Sequence, residues 1–194
     1  MLRIAIVGNI ASGKSVLENY LKILKFKVLD TDNVCHEILL NSDVIKLAFK
    51  DYDVFVKNKI SRDKLGKLVF DNKDLKKQLE DLIYPELIEY IKAFFEQNKQ
   101  EHMVFVAIPL LFEANMEDLF DKIVFVYCDD DIRLKRLIKR NNYSLDYAKK
   151  RLISQLSQDD KVKKSDYVIY NNSTIDEYYK QIDEVLNTII MQNN

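Results

Sequence analysis

The sequence predicts an α/β protein built on a doubly wound, five-stranded parallel sheet, and three observations carry that prediction. Five short apolar runs of buried-strand type recur along the 194 residues: Leu2–Val7, Lys27–Asp30, Met103–Ile108, Lys122–Tyr127 and Tyr167–Tyr170. Segments with helical spacing separate them, as parallel neighbours joined by right-handed crossovers require. The first run leads directly into Gly8-Asn9-Ile10-Ala11-Ser12-Gly13-Lys14-Ser15, which fits the pattern Gly, four residues, Gly, Lys, Ser of a phosphate-cradling loop.

Each fixed position of that loop has a task. The glycines let backbone N–H groups curl round an anion, Lys14 reaches the terminal phosphates, and the Ser15 hydroxyl ligates Mg²⁺. The chain holds only three glycines, and two of them, Gly8 and Gly13, fall here. Val16 continues into a helix with Leu17, Leu21 and Leu24 at helical intervals, so the helix dipole points at the bound phosphates.

Taken in order, the second strand ends in Asp30-Thr31-Asp32-Asn33 and feeds a helical stretch holding Ile38, Leu39 and Leu40. Polar groups at that junction are expected to face the ligand crevice at the carboxyl edge of the sheet. Residues 41–102 read as a long helical insertion, with one weak apolar segment at Val54-Phe55-Val56 and a helix break expected at Tyr84-Pro85. Residues 129–160 are helical and highly charged, with Arg133, Arg136, Arg140 and Arg151, and read as a mobile cover. A capping box, Thr174-x-x-Glu177, opens the last helix, whose apolar face is read as Ile175, Tyr179, Ile182, Leu186 and Ile189.

Composition bounds the rest. The formal charge is -1, from 30 basic and 31 acidic residues, which gives no global electrostatic reason for a nucleic-acid or membrane partner. Cys35, Cys128, His36 and His102 have no metal-site spacing, and the two cysteines read as small buried hydrophobes. The N-terminus runs straight into a strand without a signal-peptide layout, and no apolar run is of membrane-spanning length, so the cytoplasm is the expected location. A monomer is expected.

Several side chains are candidates for chemistry. Asp32 could accept a proton from an acceptor hydroxyl or hold Mg²⁺ through water, and Asp30 could share the role; helix N-capping by either is an equal alternative. Arg133, Arg136 and Arg140 share a helical face suited to phosphate oxygens. Arg133 is read as part of a solvated face paired with Asp129, Asp130 and Asp131, and Arg140 as functional. Arg62 could bind an anionic acceptor or form an ordinary surface ion pair.

Four blocks in sequence make the chain resemble the dephospho-coenzyme A kinases of the P-loop nucleoside-monophosphate-kinase-like group. The phosphate loop is followed by Asp30-Thr31-Asp32; Arg62-Asp63-Lys64-Leu65 with Phe70 resembles an Arg-x-x-Leu...Phe element. Pro109-Leu110-Leu111-Phe112-Glu113 resembles a Pro-Leu-Leu-x-Glu signature, and Arg151-Leu152-Ile153-Ser154-Gln155 with Ser165 to Asn171 resembles the late elements. The chain departs from the family at Val7, Asn9 and Ala11, and has Tyr84 where the family has His before Pro85.

The resemblance implies transfer of the ATP γ-phosphate to the ribose 3'-hydroxyl of dephospho-coenzyme A, with ATP and Mg²⁺ required. It implies Lys14, Asp32 and Arg140 as catalytic groups, Gly8 to Val16 and Asn171 around ATP, and Ser15 with Asp32 at the metal. On the acceptor side it implies Asp32, Arg62, Pro85, Leu110 and Glu113. The domains expected are a nucleotide-binding core at 1–30, 101–135 and 166–194, an acceptor domain at 31–100 and a lid at 136–165. A GTP-binding switch is the rival from another class, but Asp63-Lys64-Leu65-Gly66 follows no buried strand and Asn72-Lys73-Asp74-Leu75 misses the base-reading element by its last residue.

Overall fold

The computed structural model describes residues 1–70 and 72–193. Asp71 and Asn194, which fall within the ranges 31–100 and 166–194, lie outside the described residues. The chain forms two compact units, Met1–Leu29 with Asn98–Asn194, and Asp30–Gln97.

The first unit carries the sheet: β1 (Leu2–Gly8), β2 (Lys27–Asp30), β5 (Met103–Ala107), β6 (Lys122–Tyr127) and β7 (Tyr167–Tyr170), in the order β2-β5-β1-β6-β7, all parallel. The register sets Ile4 opposite Phe105 and Ile6 opposite both Ala107 and Val124. β1 is central because it is apolar on both faces: Ile4, Ala5, Ile6 and Val7 are fully buried. The chain winds to one side of β1 and then to the other, so the carboxyl end of β1 is a topological switch point. Ligands of such sheets bind there.

One sheet face packs Ile4, Ile6, Phe105, Val124 and Ile169 against Leu17 and Leu21 of α1 (Lys14–Ile23) and against α9 (Ile175–Gln192). Thr174 caps α9 by accepting from the Glu177 N–H at 3.3 Å. The buried stripe of α9 is Tyr178, Ile182, Leu186 and Ile189, whereas Ile175 is exposed. The expected stripe was therefore one residue out of phase at its start, because Tyr178 is the aromatic that turns inward and Tyr179 stacks on Tyr20.

The second unit is helical, with α2 (Thr31–Asn41), α3 (Asp43–Ala48), α4 (Arg62–Phe70) and α5 (Lys73–Gln97). The weak segment near Val54 is one arm of a minimal antiparallel hairpin, β3 (Phe55–Val56) and β4 (Lys59–Ile60), turned through Lys57 and Asn58 with positive φ. The break expected at Tyr84-Pro85 does not occur: α5 runs through Pro85. A helix-interior proline costs about 3 kcal/mol. Leu75, Ile83, Leu87, Ile91 and Phe95 form a buried stripe on both sides of it, each fully buried side chain being worth about 1.5–3 kcal/mol. Pro85 itself is exposed, so the carbonyl freed by its missing N–H can be hydrated.

Three further helices, α6 (Asp130–Asn141), α7 (Leu145–Ile153) and α8 (Gln158–Lys163), join β6 to β7. Asn142 ends α6 in the left-handed conformation, and Ser144 caps α7 through the Tyr147 N–H. Residues 136–165 thus belong to the unit that carries the sheet, and no strand intervenes among them. No helix among the described residues is long and apolar enough to cross a membrane.

Candidate active site

Gly8 closes β1 and Lys14 opens α1, so the phosphate loop sits where the sheet and helix geometry require an anion site. Its shape is imposed from behind, through its carbonyls. The Ile10 carbonyl accepts from Arg133 Nε at 3.0 Å, the Ser12 carbonyl from Asn171 Nδ2 at 2.7 Å and Arg136 Nη1 at 3.4 Å, and the Gly13 carbonyl from the Tyr178 hydroxyl at 3.3 Å. The Ser12 N–H closes a turn onto the Asn9 carbonyl at 3.0 Å. With the carbonyls engaged, the N–H groups of Ala11, Gly13, Lys14 and Ser15 have no acceptor among the described residues. Donors left open in this way are what an anion nest requires.

Gly13 is indispensable to this arrangement. Its φ of 102° is one that L side chains rarely adopt, and a Cβ there would lie 2.0 Å from Asn171 Nδ2. Gly13→Ala is therefore expected to cost about 2–4 kcal/mol through backbone strain and displacement of Asn171. A melting curve should fall by several degrees, and added ATP should restore less of it than in the parent protein.

The sequence-predicted residues are distributed as follows. Lys14 Nζ lies 2.6 Å from Glu18 Oε1, one turn along α1, with both side chains nearly buried. Ser15 is exposed and its hydroxyl has no partner among the described residues. Val16 is half-buried against the core. Asn171 is buried, its amide committed to Ser12 and to Arg136 Nη2 at 3.3 Å, so it shapes the loop. Arg140 is exposed in the last turn of α6, with its Nε on Asn141 Oδ1 at 2.9 Å.

Arg133 corrects the expectation of a solvated face. It does pair with Asp130, at 2.7 Å, but only 2% of its side chain is exposed, and it spends its Nε on the loop. Leu110 is half-buried after β5, and Glu113 holds the fully buried Lys161 at 2.7 Å while accepting from the Leu156 N–H at 3.2 Å. Burial pulls the Lys161 ammonium below the usual lysine range, and Glu113 works against that shift.

In the second unit, Asp30 is the cap of α2: its carboxylate accepts from the Asp32 N–H at 3.0 Å and from Asn33 Nδ2 at 2.9 Å. Asp32, two places into the helix, keeps an exposed carboxylate that does no capping. Arg62 opens α4 and is exposed; Pro85 is exposed on α5. Asp30, Asp32 and Arg62 all act on the half-buried Cys35 thiol. Burial pushes that thiol up to about 11, the two aspartates adding and Arg62 opposing, so Cys35 is no nucleophile near neutral pH.

Reasoning from sequence missed the loop's supports Arg133, Arg136, Tyr178 and Gln155, the last accepting from the Ile10 N–H, and it missed Lys161, which holds Glu113. The spacing of Arg133 and Arg136 was visible, and Gln155 stood in a family element without a role; Lys161 was one lysine among many.

Among the described residues there is no cluster of three or more His, Cys, Asp or Glu side chains that could cage a metal. Mg²⁺ at a nucleotide site needs only one or two protein oxygens, with waters and substrate phosphates completing the shell. The unengaged Ser15 hydroxyl at the start of α1 fits that requirement.

The likeness to known proteins is consistent and spans the chain. A sequence profile of dephospho-CoA kinase matches residues 2–177. A dephospho-CoA kinase of Oceanobacillus iheyensis is 37% identical over 191 residues, covering 95% of this chain and 96% of the relative. One of Fusobacterium nucleatum is 34% identical, covering 96% and 97%. The solved dephospho-CoA kinase of Campylobacter jejuni matches with a TM-score of 0.75 at 32% identity, covering 99% of this chain and 98% of its own. With the phosphate loop at the switch point of its parallel sheet, and with this match along nearly its whole length, the chain belongs to the dephospho-CoA kinase family.

Proposed function

We propose that the chain transfers the γ-phosphate of ATP to the ribose 3'-hydroxyl of dephospho-coenzyme A, giving coenzyme A and ADP as the last step of coenzyme A biosynthesis. The observation that carries this reading is the phosphate loop: four N–H groups left for an anion, with Lys14 beside them on Glu18, on a chain whose relatives are dephospho-CoA kinases.

In the reaction the 3'-oxygen attacks the γ-phosphorus and the bond to the bridging oxygen of ADP breaks, with negative charge spread over the equatorial oxygens. The N–H groups of Ala11, Gly13, Lys14 and Ser15 hold the β- and γ-phosphates, with Gly8, Asn9, Ile10, Ser12 and Val16 as the rest of the ATP contact. Lys14 leaves Glu18 to meet the γ-phosphate and offsets its charge. Asp32 takes the proton of the attacking hydroxyl. Arg140 comes from the lid, residues 136–165, to stabilise the charge on the moving phosphoryl group and exclude water. Residues 31–100 hold the acceptor, with Arg62, Pro85 and Leu110 contributing, and Glu113 acts through Lys161 and Leu156. Mg²⁺, when bound, neutralises phosphate charge; Ser15 would hold it directly and Asp32 through water.

The enzyme acts in the cytoplasm as a monomer, without nucleic-acid or membrane partners. The test is turnover with ATP and dephospho-coenzyme A, with the product identified as the 3'-phosphate. Phosphorylation of another small alcohol in preference to dephospho-coenzyme A would overturn the acceptor assignment, and its formation at a different hydroxyl would overturn the regiochemistry.

A further inference from the structure

Both backbone polar groups of Ile10 are held. Its carbonyl takes Arg133 Nε, and its N–H donates to Gln155 Oε1 at 2.7 Å, a contact between residues 145 positions apart. Next to it, Asn9 Nδ2 donates to the Leu156 carbonyl at 2.9 Å. The segment on the far side of these bonds is itself anchored. The Leu156 N–H goes to Glu113, and Gln158 Nε2 donates to the Cys128 carbonyl and to Asp130 Oδ1, both at 2.9 Å.

Local backbone preference does not explain the loop's shape. Ala11, the residue after Ile10, has a φ of 64°, in the left-handed region that disfavours non-glycine residues. It lies inside the turn that Ser12 closes onto Asn9. Such a conformation persists when surrounding contacts over-determine it, and the contacts on Ile10 and Asn9 are the ones adjacent to it. Arg133 precedes the bulk of α6–α7, and Gln155 and Leu156 follow α7. The helical excursion is therefore tied to the loop at its outgoing and its returning leg. The stretch between them carries Arg140 and the exposed Leu145 and Ile153.

We propose that Gln155 is a positioning residue for ATP: by accepting the Ile10 N–H it fixes the strained turn at Ala11, and with Asn9 it ties the returning leg of the lid to the phosphate loop. This rests on the assignment of Gly8–Ser15 to the ATP phosphates. Gln155 touches no substrate in this role. Its loss should change phosphate binding without changing the acceptor.

The experiment uses Gln155→Leu, which keeps the bulk and removes the acceptor oxygen. Amide exchange measured by NMR on labelled protein should show Ile10 exchanging at least about 10-fold faster, with Ile6 in β1 unchanged. In steady-state kinetics the KM for ATP should rise about 10-fold, while that for dephospho-coenzyme A stays within about twofold. Unchanged exchange at Ile10, an unchanged KM for ATP, or equal increases in both KM values would each overturn the proposal. Faster exchange at Ile6 as well would show a merely structural role and count against it. Lys14→Ala serves as the control for the underlying assignment: full turnover in that variant removes the phosphate site itself. Loss of turnover there beside a parent-like Gln155→Leu removes only the positioning role.

Discussion

Lys14→Ala is expected to reduce turnover on the order of 10³-fold, since one charged donor aimed at a developing phosphoryl charge is worth about 10²–10³ or more. The structure adds a consequence for stability. Lys14 is the partner of Glu18 at 2.6 Å, and Glu18 is 5% exposed, so the substitution leaves a carboxylate buried without its counter-charge. An uncompensated group of this kind costs about 2 kcal/mol, and at about 2–4 °C per kcal/mol for a chain of this length the melting temperature should fall by about 4–8 °C. The two effects separate in the double variant Lys14→Ala, Glu18→Gln. It should recover most of the lost melting temperature, because a neutral amide tolerates the site, and recover none of the turnover. Parent-like kcat in either variant would remove Lys14 from the chemistry; recovery of turnover in the double variant would mean that the single substitution acted through folding.

The parts of this molecule that could be read in advance are those that depend on neighbours in sequence. The phosphate loop is eight consecutive residues whose backbone makes the site, and the buried strands declare themselves as apolar runs because both faces of a parallel sheet are covered. Pro85 shows where local rules lose: the stop signal is genuine, but a buried stripe continuing from Ile83 to Phe95 outweighs it. The arginines show a different limit. Spacing put Arg133 and Arg136 on one face of a helix, but which way that face turns depends on how α6 docks behind the loop. Those contacts span more than 120 residues of sequence, as does the one from Gln155 to Ile10. Lys161 was hidden for the same reason, its partner Glu113 lying on the connection that leaves β5.

Asp32→Asn is expected to lower kcat with dephospho-coenzyme A by about 10²- to 10⁴-fold, the usual worth of general-base assistance, with a melting temperature close to that of the parent. From sequence, capping and catalysis were equal readings of the Asp30-Thr31-Asp32 element, since either aspartate could open α2. The structure gives the cap to Asp30, whose carboxylate accepts from the Asp32 N–H and from Asn33. Asp32 is left with an exposed carboxylate that holds no backbone group of the helix end. Removing its charge therefore sacrifices no cap, and the only stability cost is a helix-dipole interaction of about 0.3–1 kcal/mol at the first turn. Asp30→Asn, made alongside, should be nearly silent in both assays, because Asn caps a helix about as well as Asp and accepts the same N–H. A large loss of turnover in Asp30→Asn with little in Asp32→Asn would move the base to Asp30. Parent-like turnover in both would mean that the proton leaves the acceptor hydroxyl without help from this element.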